Sequence, residues 1–389
     1  MKAVVLSLAD PWHAAHGGTI RTRALVSSLV DLGHEVVTVF PSSDPDAHGS
    51  GGGATEPPHG VSVVPVRGGT LGDRAWPGWV KSVKRTLVPL PTAVGGRSAA
   101  VGEALRGLGH VDLLVVSVLP FVGYLTELPG AALWVDHSDL YSDVVAREAR
   151  RRRGLARVTA GLQHRAVVRT EDALAASAAI STAAGAADAD VLTRRTGHPV
   201  TWLPTPVTSA AVPREGGEGR TAGFFANFRY WPNVDAWELL RDRWAPALAA
   251  RGWDVVVAGL GSDTLDAGPH VKVLGPVPTP ADFYRHVDVT LAPVRLGGGM
   301  KVKVVESLTH GRPVLATSFA VAGFPTGFAD AVDVVDVDNP DLSVLDDGPP
   351  RLRPSAPGVL EPFGSEGFSR RVAELLLRAP VGADGSGST

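Results

Sequence analysis

The chain has 389 residues and a formal net charge of −3 at pH 7, with 44% hydrophobic and 20% charged residues. That length accommodates two domains, each with its own core, and the charge balance gives no reason to expect a nucleic-acid partner. Cysteine is absent, which excludes disulfides, thiolate metal sites and cysteine nucleophiles. No run of about 18 or more apolar residues occurs, and the apolar part of MKAVVLSLADPW is too short for a signal peptide. The cytoplasm is therefore the expected compartment.

Residues 2–7 (KAVVLS) predict a buried strand. Gly17 and Gly18 then lead into a helix carrying Ile20, Ala24, Leu25, Leu29 and Leu32, closed by Gly33, and HEVVTVF is the next strand. This β–glycine loop–α–β order opens a doubly wound α/β fold. The G-x-G-x-x-G fingerprint is missing, so the unit is not read as nicotinamide-binding. A polar, glycine-rich mobile loop is expected at 41–60, followed by the strand VSVVPV. The segment 74–91 is basic and carries Trp76 and Trp79. It reads either as a helix packed on the sheet with its lysines in water or as a peripheral contact with an anionic surface.

VDLLVVSVLP and AALWVDHSDL predict two more strands. The second ends in Asp136, His137, Ser138 and Asp139, at a strand's carboxyl end, where α/β ligand sites lie. His137 is either a ligand-binding group or a satisfied strand-end histidine, and no pair here suits general acid–base work. The run Arg150–Arg153 reads as a solvated face. AAIST, a helix after Gly185 and VTWLP complete a first domain at 1–203. The Pro-, Gly- and Ser-rich stretch 204–220 reads as a flexible linker.

A second domain, 221–362, starts with AGFFANF and a helix from Pro232 to about Ala250, with further strands at DVVVAGLG, VKVLGPVP, VTLAP, PVLAT and AVDVV. Its central stretch runs from Asp288 to Pro313. A buried strand leads to Gly297, Gly298 and Gly299, then to a helix with Val302, Val305, Leu308 and Thr309 inward, ending at Gly311. A glycine loop entering a helix N-terminus offers free N–H groups and a positive dipole end that suit a phosphate. A crossover that needs glycine only for packing is the alternative. Glu306 reads as an acceptor for a sugar's vicinal hydroxyls or as a solvated helix residue. Lys301 and Lys303 lie about 200° apart on a helix, so one of them reaches a phosphate. Residues 363–389 supply a last helix, FSRRVAELLLR, returning to the first domain, and a disordered tail.

Taken together, the Gly17-Gly18 loop with Arg21, FFANFRYWPNVDA, VVVAGLGS, VKVLGPVPTPADFYRHVDVTLAP and the glycine loop through GRPVLAT resemble the family 4 glycosyltransferases. These have two Rossmann-like αβα domains facing each other across a cleft (GT-B). The resemblance covers nearly the whole chain. It implies retaining, metal-independent transfer of a sugar from a nucleotide-diphosphate sugar bound by the second domain, to a small-molecule acceptor entering through the first. No further cofactor is implied. It also implies roles for single residues. Gly17 and Gly18 should lie beside the donor phosphates, and His137 should hydrogen-bond the donor sugar. Gly298, Gly299 and Met300 should meet the pyrophosphate, Glu306 the ribose, and the Gly275–Pro278 loop with Val277 the base.

Two departures stand out. The family's second glutamate, eight residues earlier, is here Gly298. The arginine and lysine that follow the second domain's first strand are replaced by Asn227 and by Pro232 or Asn233. Arg229, Lys301 and Lys303 become the candidates to neutralise the leaving diphosphate, although Arg229 beside Tyr230 and Trp231 also suits aromatic stacking. A natural-product aglycone or an envelope precursor is the expected acceptor, and the oligomeric state stays open. The rival readings are a nucleotide-sugar 2-epimerase and a non-catalytic sugar-nucleotide-binding subunit.

Overall fold

Strand β1 (Lys2–Leu6) shows why the sheets are parallel and fully covered. Val4 and Leu6 enter one apolar cluster, while Ala3 and Val5 enter the cluster on the opposite face. A strand buried on both sides is a continuous apolar run. The structure, a computed structural model, describes residues 1–12, 17–42, 56–67, 98–117, 119–207, 210–215 and 219–379. The segment 74–91, most of the loop at 41–60 and the C-terminal tail lie outside the described residues.

Two compact units emerge: Met1–Thr205 together with the segment from Glu366, and Pro206–Ser365. In the first, α1 (Gly17–Asp31), β2 (Glu35–Ser42), β3 (Val61–Arg67), α2 (Ala99–Arg106), β4 (Leu113–Val116) and β5 (Ala132–His137) follow β1. Then come α3 (Tyr141–Arg151), α4 (Leu155–Ser177), β6 (Ile180–Ala183), α5 (Ala186–Thr196) and β7 (Thr201–Trp202). The strand order is β3-β2-β1-β4-β5-β6-β7, with every pairing parallel.

The second unit holds β8 (Thr221–Phe225), α6 (Trp231–Leu239), β9 (Asp254–Ala258), β10 (Val271–Gly275), α7 (Pro280–Tyr284) and β11 (Val289–Ala292). It continues with α8 (Val302–Thr309), β12 (Val314–Thr317) and β13 (Asp333–Val335), in the order β10-β9-β8-β11-β12-β13. The whole is α/β with two parallel, Rossmann-like sheets. In each sheet the chain reverses its direction of travel once, at β1/β4 and at β8/β11. A crevice opens at the carboxyl ends of such a pair of strands.

Several elements depart from the sequence reading. On α8 the buried residues are Val304, Val305, Ser307 and Leu308; Val305 and Leu308 face inward as expected, while Val302 and Thr309 lie half-buried at the edges of that face. The helical run after Trp231 contains a π turn at Leu240–Trp244. Pro246, which has no N–H to give, follows directly. Residues expected as a flexible linker are tied to the second unit. The Val212 N–H donates to the His310 carbonyl (3.3 Å), the Val212 carbonyl accepts from Arg312 (2.9 Å), and Arg214 pairs with Asp288 (2.8 Å). The last helix, α9 (Ser365–Arg378), places Phe368 and Val372 in the core cluster of the first unit beside Leu25 and Leu29.

One close approach sets the end of β8. The Ala226 N–H donates to Ala258 (3.1 Å) and the Phe228 N–H to Leu260 (2.8 Å), so the chain beyond β8 runs tight against the chain beyond β9. Gly259 sits there at φ +122°, where a Cβ would lie 2.1 Å from the Ala226 carbonyl oxygen. Gly259→Ala is expected to cost on the order of 3 kcal/mol from backbone strain and overlap. A urea midpoint lowered to match, with unchanged m-value, is the expected measurement; an unaltered midpoint would show that β8 and β9 can part at no cost.

Candidate active site

Two strands part at β8/β11, and the loops beyond them hold most of the chemistry of the second unit. After β11 the chain passes through Arg295, whose guanidinium is held by Asp235 at the start of α6 (2.8 Å). It then reaches the three glycines. Gly297 and Gly299 have φ of +107° and +56°, conformations that glycine adopts without cost. At Gly297 a Cβ would come 3.7 Å from the Tyr230 hydroxyl and 3.6 Å from Pro232, so the loop lies against the turn that follows β8. Buried Met300 anchors the end of the loop. The Lys301 ammonium folds back on the carbonyls of Gly298 and Gly299, 5.1 Å from the Phe319 ring. The carbonyls of Gly298 and Gly299 thus face an ammonium.

Lys303 and Glu306 follow one turn apart on α8. The Lys303 Nζ lies 4.5 Å from the centre of the Phe224 ring and donates to Asn233 Oδ1 (2.8 Å). Asn233 Nδ2 donates to the Asn227 carbonyl (2.7 Å), and Asn227 Oδ1 accepts the Arg229 N–H (3.0 Å). Lys303 thus reaches across to the two asparagines that stand where the resemblance expects cations, and it fixes the turn that carries exposed Arg229. Burial, and then the nearby Lys301 charge, push the Lys303 ammonium down to about 7. Glu306 is pushed up to about 7 by burial, partly offset by the Tyr284 hydroxyl that donates to its Oε2 (3.1 Å) and by Lys303. The structure therefore brings Asn227, Arg229, Gly298, Gly299, Met300, Lys301, Lys303 and Glu306 to one end of one sheet. Val277 lies beyond β10 and packs on the cluster of Phe283, Tyr284 and Val287.

In the first unit, Gly17 and Gly18 are the first residues of α1, and the Thr22 hydroxyl donates back to the Gly18 carbonyl (3.0 Å). His137 ends β5 and is buried; its Nε2 has no hydrogen-bond partner among the described residues. Burial lowers the ring to about 4, against the neighbouring Asp136 charge, so the imidazole is neutral at physiological pH. Beside it, Arg21 and Asp136 form a buried two-pronged ion pair, with Arg21 Nε 2.7 Å from Asp136 Oδ2. The same carboxylate accepts from Thr182 (2.6 Å), and Arg21 Nη1 donates to the Leu203 carbonyl. Arg21 accordingly binds α1 to β5 and to the chain that leaves β7.

Sequence reasoning did not find Tyr284 or the Lys303–Asn233 link. Asn233 was noted only as a missing lysine, and nothing in the ADFYRHVD stretch marks its tyrosine as a partner of a residue 22 positions later. Among the described residues no group of three or more His, Asp or Glu side chains is placed to hold a metal ion. No described helix is long and apolar enough to cross a membrane.

Residues 219–341, which include every site residue of the second unit, match the family described as "Glycosyl transferases group 1". No curated protein matches the chain. Among solved structures, the chain resembles sucrose-phosphate synthase from Thermosynechococcus elongatus with TM-score 0.66 and 14% identity over 97% of this chain and 98% of that one. Anabaena HepE in complex with UDP and glucose is similar at TM-score 0.60 and 11% identity, over 97% and 99% of the two chains. Arabidopsis thaliana UGT89C1 complexed with quercetin is similar at 0.52 and 15%, over 96% and 99%. These likenesses give the fold, that of GT-B glycosyltransferases. Together with the family match over 219–341 they indicate a glycosyltransferase enzyme.

The Arg21–Asp136 pair yields a prediction about stability. Asp136→Ala leaves a buried guanidinium with no counter-charge, a loss of about 3–5 kcal/mol. Chemical denaturation should show it. A variant as stable as the parent would mean that water or another acceptor reaches Arg21.

Proposed function

We propose that the protein moves a sugar from a nucleoside-diphosphate sugar to a hydroxyl of a small-molecule acceptor, a natural-product aglycone or an envelope precursor, with retention of anomeric configuration. The observation that carries this reading is the placing of a glycine loop, a helix N-terminus and Glu306 at the β8/β11 crevice, within the segment that matches group 1 glycosyltransferases. Glu306 accepts hydrogen bonds from the ribose. The amides of Gly298, Gly299 and Met300 and the start of α8 receive the diphosphate, and the Gly275–Pro278 loop meets the base. The UDP and glucose bound by Anabaena HepE, and the quercetin bound by UGT89C1, support a nucleotide-sugar donor and a small-molecule acceptor.

In the transfer, the bond from the sugar's anomeric carbon to the diphosphate oxygen breaks, and a bond to the acceptor oxygen forms. The hydroxyl proton leaves with the departing diphosphate. That leaving group gains negative charge in the transition state, and preorganised cations there are commonly worth several kcal/mol. Lys301, Lys303 and Arg229 fill this role. An arriving diphosphate raises the Lys303 pKa and keeps it protonated. His137 gives the first unit a neutral imidazole whose unpartnered Nε2 suits a sugar hydroxyl, and Gly17 and Gly18 allow close backbone approach to a phosphate.

The test is incubation with a panel of UDP-, GDP-, ADP- and dTDP-sugars, with and without candidate acceptors, following free nucleoside diphosphate and the sugar product. Acceptor-dependent release with the donor's anomeric configuration kept is the expected result. An epimerase would change the sugar with no acceptor, and a mere binder would change nothing. Glu306→Ala should weaken nucleoside-diphosphate binding by roughly 1.5–3 kcal/mol in calorimetric titration; an unchanged affinity removes Glu306 from the site. With lysine, arginine and backbone amides handling the phosphate charge, turnover is expected to survive EDTA. Complete loss, restored by Mg²⁺ or Mn²⁺, would contradict that division of labour.

A further inference from the structure

We infer that Tyr284 is a positioning residue for nucleotide binding: its hydroxyl holds the Glu306 carboxylate so that the other oxygen faces the ribose. This rests on the ribose-binding role proposed above for Glu306. The phenol is buried, and its hydroxyl donates to Glu306 Oε2 at 3.1 Å. The Ser307 hydroxyl donates to the Lys303 carbonyl (2.8 Å) and lies 3.4 Å from the phenol oxygen, so the tyrosine proton is left to Glu306. Among the described residues, Glu306 Oε1 takes no hydrogen bond from the protein and is not sealed from solvent. One carboxylate oxygen is therefore fixed and the other is left for a ligand.

The ring of Tyr284 is itself clamped. His310 stacks on it with centroids 4.5 Å apart and planes at 21°. Arg312 Nε donates to the Tyr284 carbonyl at 2.6 Å, and Phe225 meets the ring edge-on at 6.1 Å. A side chain held this way by packing and by its own backbone suits the task of orienting another group. Its charged or titratable surroundings are Glu306, Lys303 and, beyond it, Lys301 on the side of α8, His310 stacked on the ring, and Arg312 at the Tyr284 carbonyl. The phenol cannot ionise near neutrality, because burial and then the Glu306 charge raise its pKa well above the ordinary value. It is a permanent donor.

The consequence is read in ribose recognition as a function of pH. A carboxylate accepts two hydroxyl hydrogen bonds, whereas the protonated acid has lost part of that capacity. Preference for a ribose over a 2′-deoxyribose should therefore be present above the Glu306 pKa of about 7 and fall as pH drops through it. Removing a hydrogen bond to the ionised form raises the pKa. Lys303 titrates in the same range and acts on the phosphates with the opposite sign. The ratio of dissociation constants for a 2′-deoxynucleoside diphosphate and its ribose counterpart cancels that effect.

The experiment measures this ratio from pH 5.5 to 9 for the tightest binder among ADP, GDP and UDP and for its 2′-deoxy form. Wild type, Tyr284→Phe, Tyr284→Met and Glu306→Gln are compared. In Tyr284→Phe, which keeps the ring and its stacking, the midpoint should rise by about one pH unit, and the ratio at pH 9 should stay below the wild-type value because the ionised carboxylate is no longer oriented. Tyr284→Met, which also lacks the hydroxyl, should move it in the same direction, and it serves alone if Tyr284→Phe does not fold. A midpoint that stays at its wild-type value in the tyrosine variant that folds, or a pH 9 ratio equal to wild type, overturns the inference. The ribose reading is judged separately by Glu306→Gln, which should flatten the ratio across pH. If the step survives in Glu306→Gln, the ribose assignment itself falls, and the inference falls with it.

Discussion

The candidate site of the second unit depends on two opposite charges buried one helical turn apart. Lys303 ends on Asn233 and Glu306 ends on Tyr284, each a neutral partner on a different element. Burial pushes both toward a pKa of about 7, so neither charge is comfortable in the empty site. On the proposed reading, a nucleoside diphosphate would supply what each lacks, anionic oxygens for the ammonium and hydroxyl donors for the carboxylate, so that binding would recover a desolvation cost that folding has already incurred. The neutral partners also set direction. Asn233 turns Lys303 toward β8, and Tyr284 holds Glu306 on the side of α7.

The first unit treats a buried charge in the opposite way. Arg21 and Asp136 meet in a two-pronged pair, with Thr182 and the Leu203 carbonyl taking the remaining hydrogen bonds. Nothing there is left for a ligand. The pair fastens α1, β5 and the exit from β7, and through β5 it fixes His137, the neighbour whose Nε2 is without a partner. Asp136 and His137 are adjacent in sequence, yet pleating sends them to different surroundings and different work. Arg21 entered the sequence comparison as part of a glycine-loop motif. Its contacts are those of a structural bracket one turn behind that loop.

What was legible in the sequence follows from periodicity. Buried parallel strands are short apolar runs, each closed by glycine, proline or a polar cluster, and β1, β5, β8 and β11 stand out for that reason. The glycine loop and Glu306 were legible because loop, helix start and carboxylate lie within a few residues of each other. Tyr284 and Asn233 were not, since their partners lie 22 and 70 positions away and only the strand order β8-β11 brings them together. The inward face of α8 was partly legible: Val305 and Leu308 fit the apolar stripe, whereas Val304 and Ser307 fill the positions expected of Val302 and Thr309. The contacts of Val212 and Arg214 with the second unit were not legible either. Pro, Gly and Ser describe a chain with no core of its own, but composition says nothing of a neighbour such as Arg312 that captures its backbone carbonyl.

Gly298 gains a physical meaning from this arrangement. A carboxylate at that position would set a second negative charge in a loop whose amides are to receive a diphosphate. Here the loop is neutral, and the Lys301 ammonium is folded onto the carbonyls of Gly298 and Gly299, which adds positive character where the family resemblance places an acid. Lys303 follows in the first turn of α8, and exposed Arg229 sits on the turn after β8. These cations favour the most highly charged part of a sugar nucleotide. On the proposed reading, the sugar's own hydroxyls would fall to groups other than a loop carboxylate, so sugar selectivity would rest on hydrogen-bond geometry more than on charge.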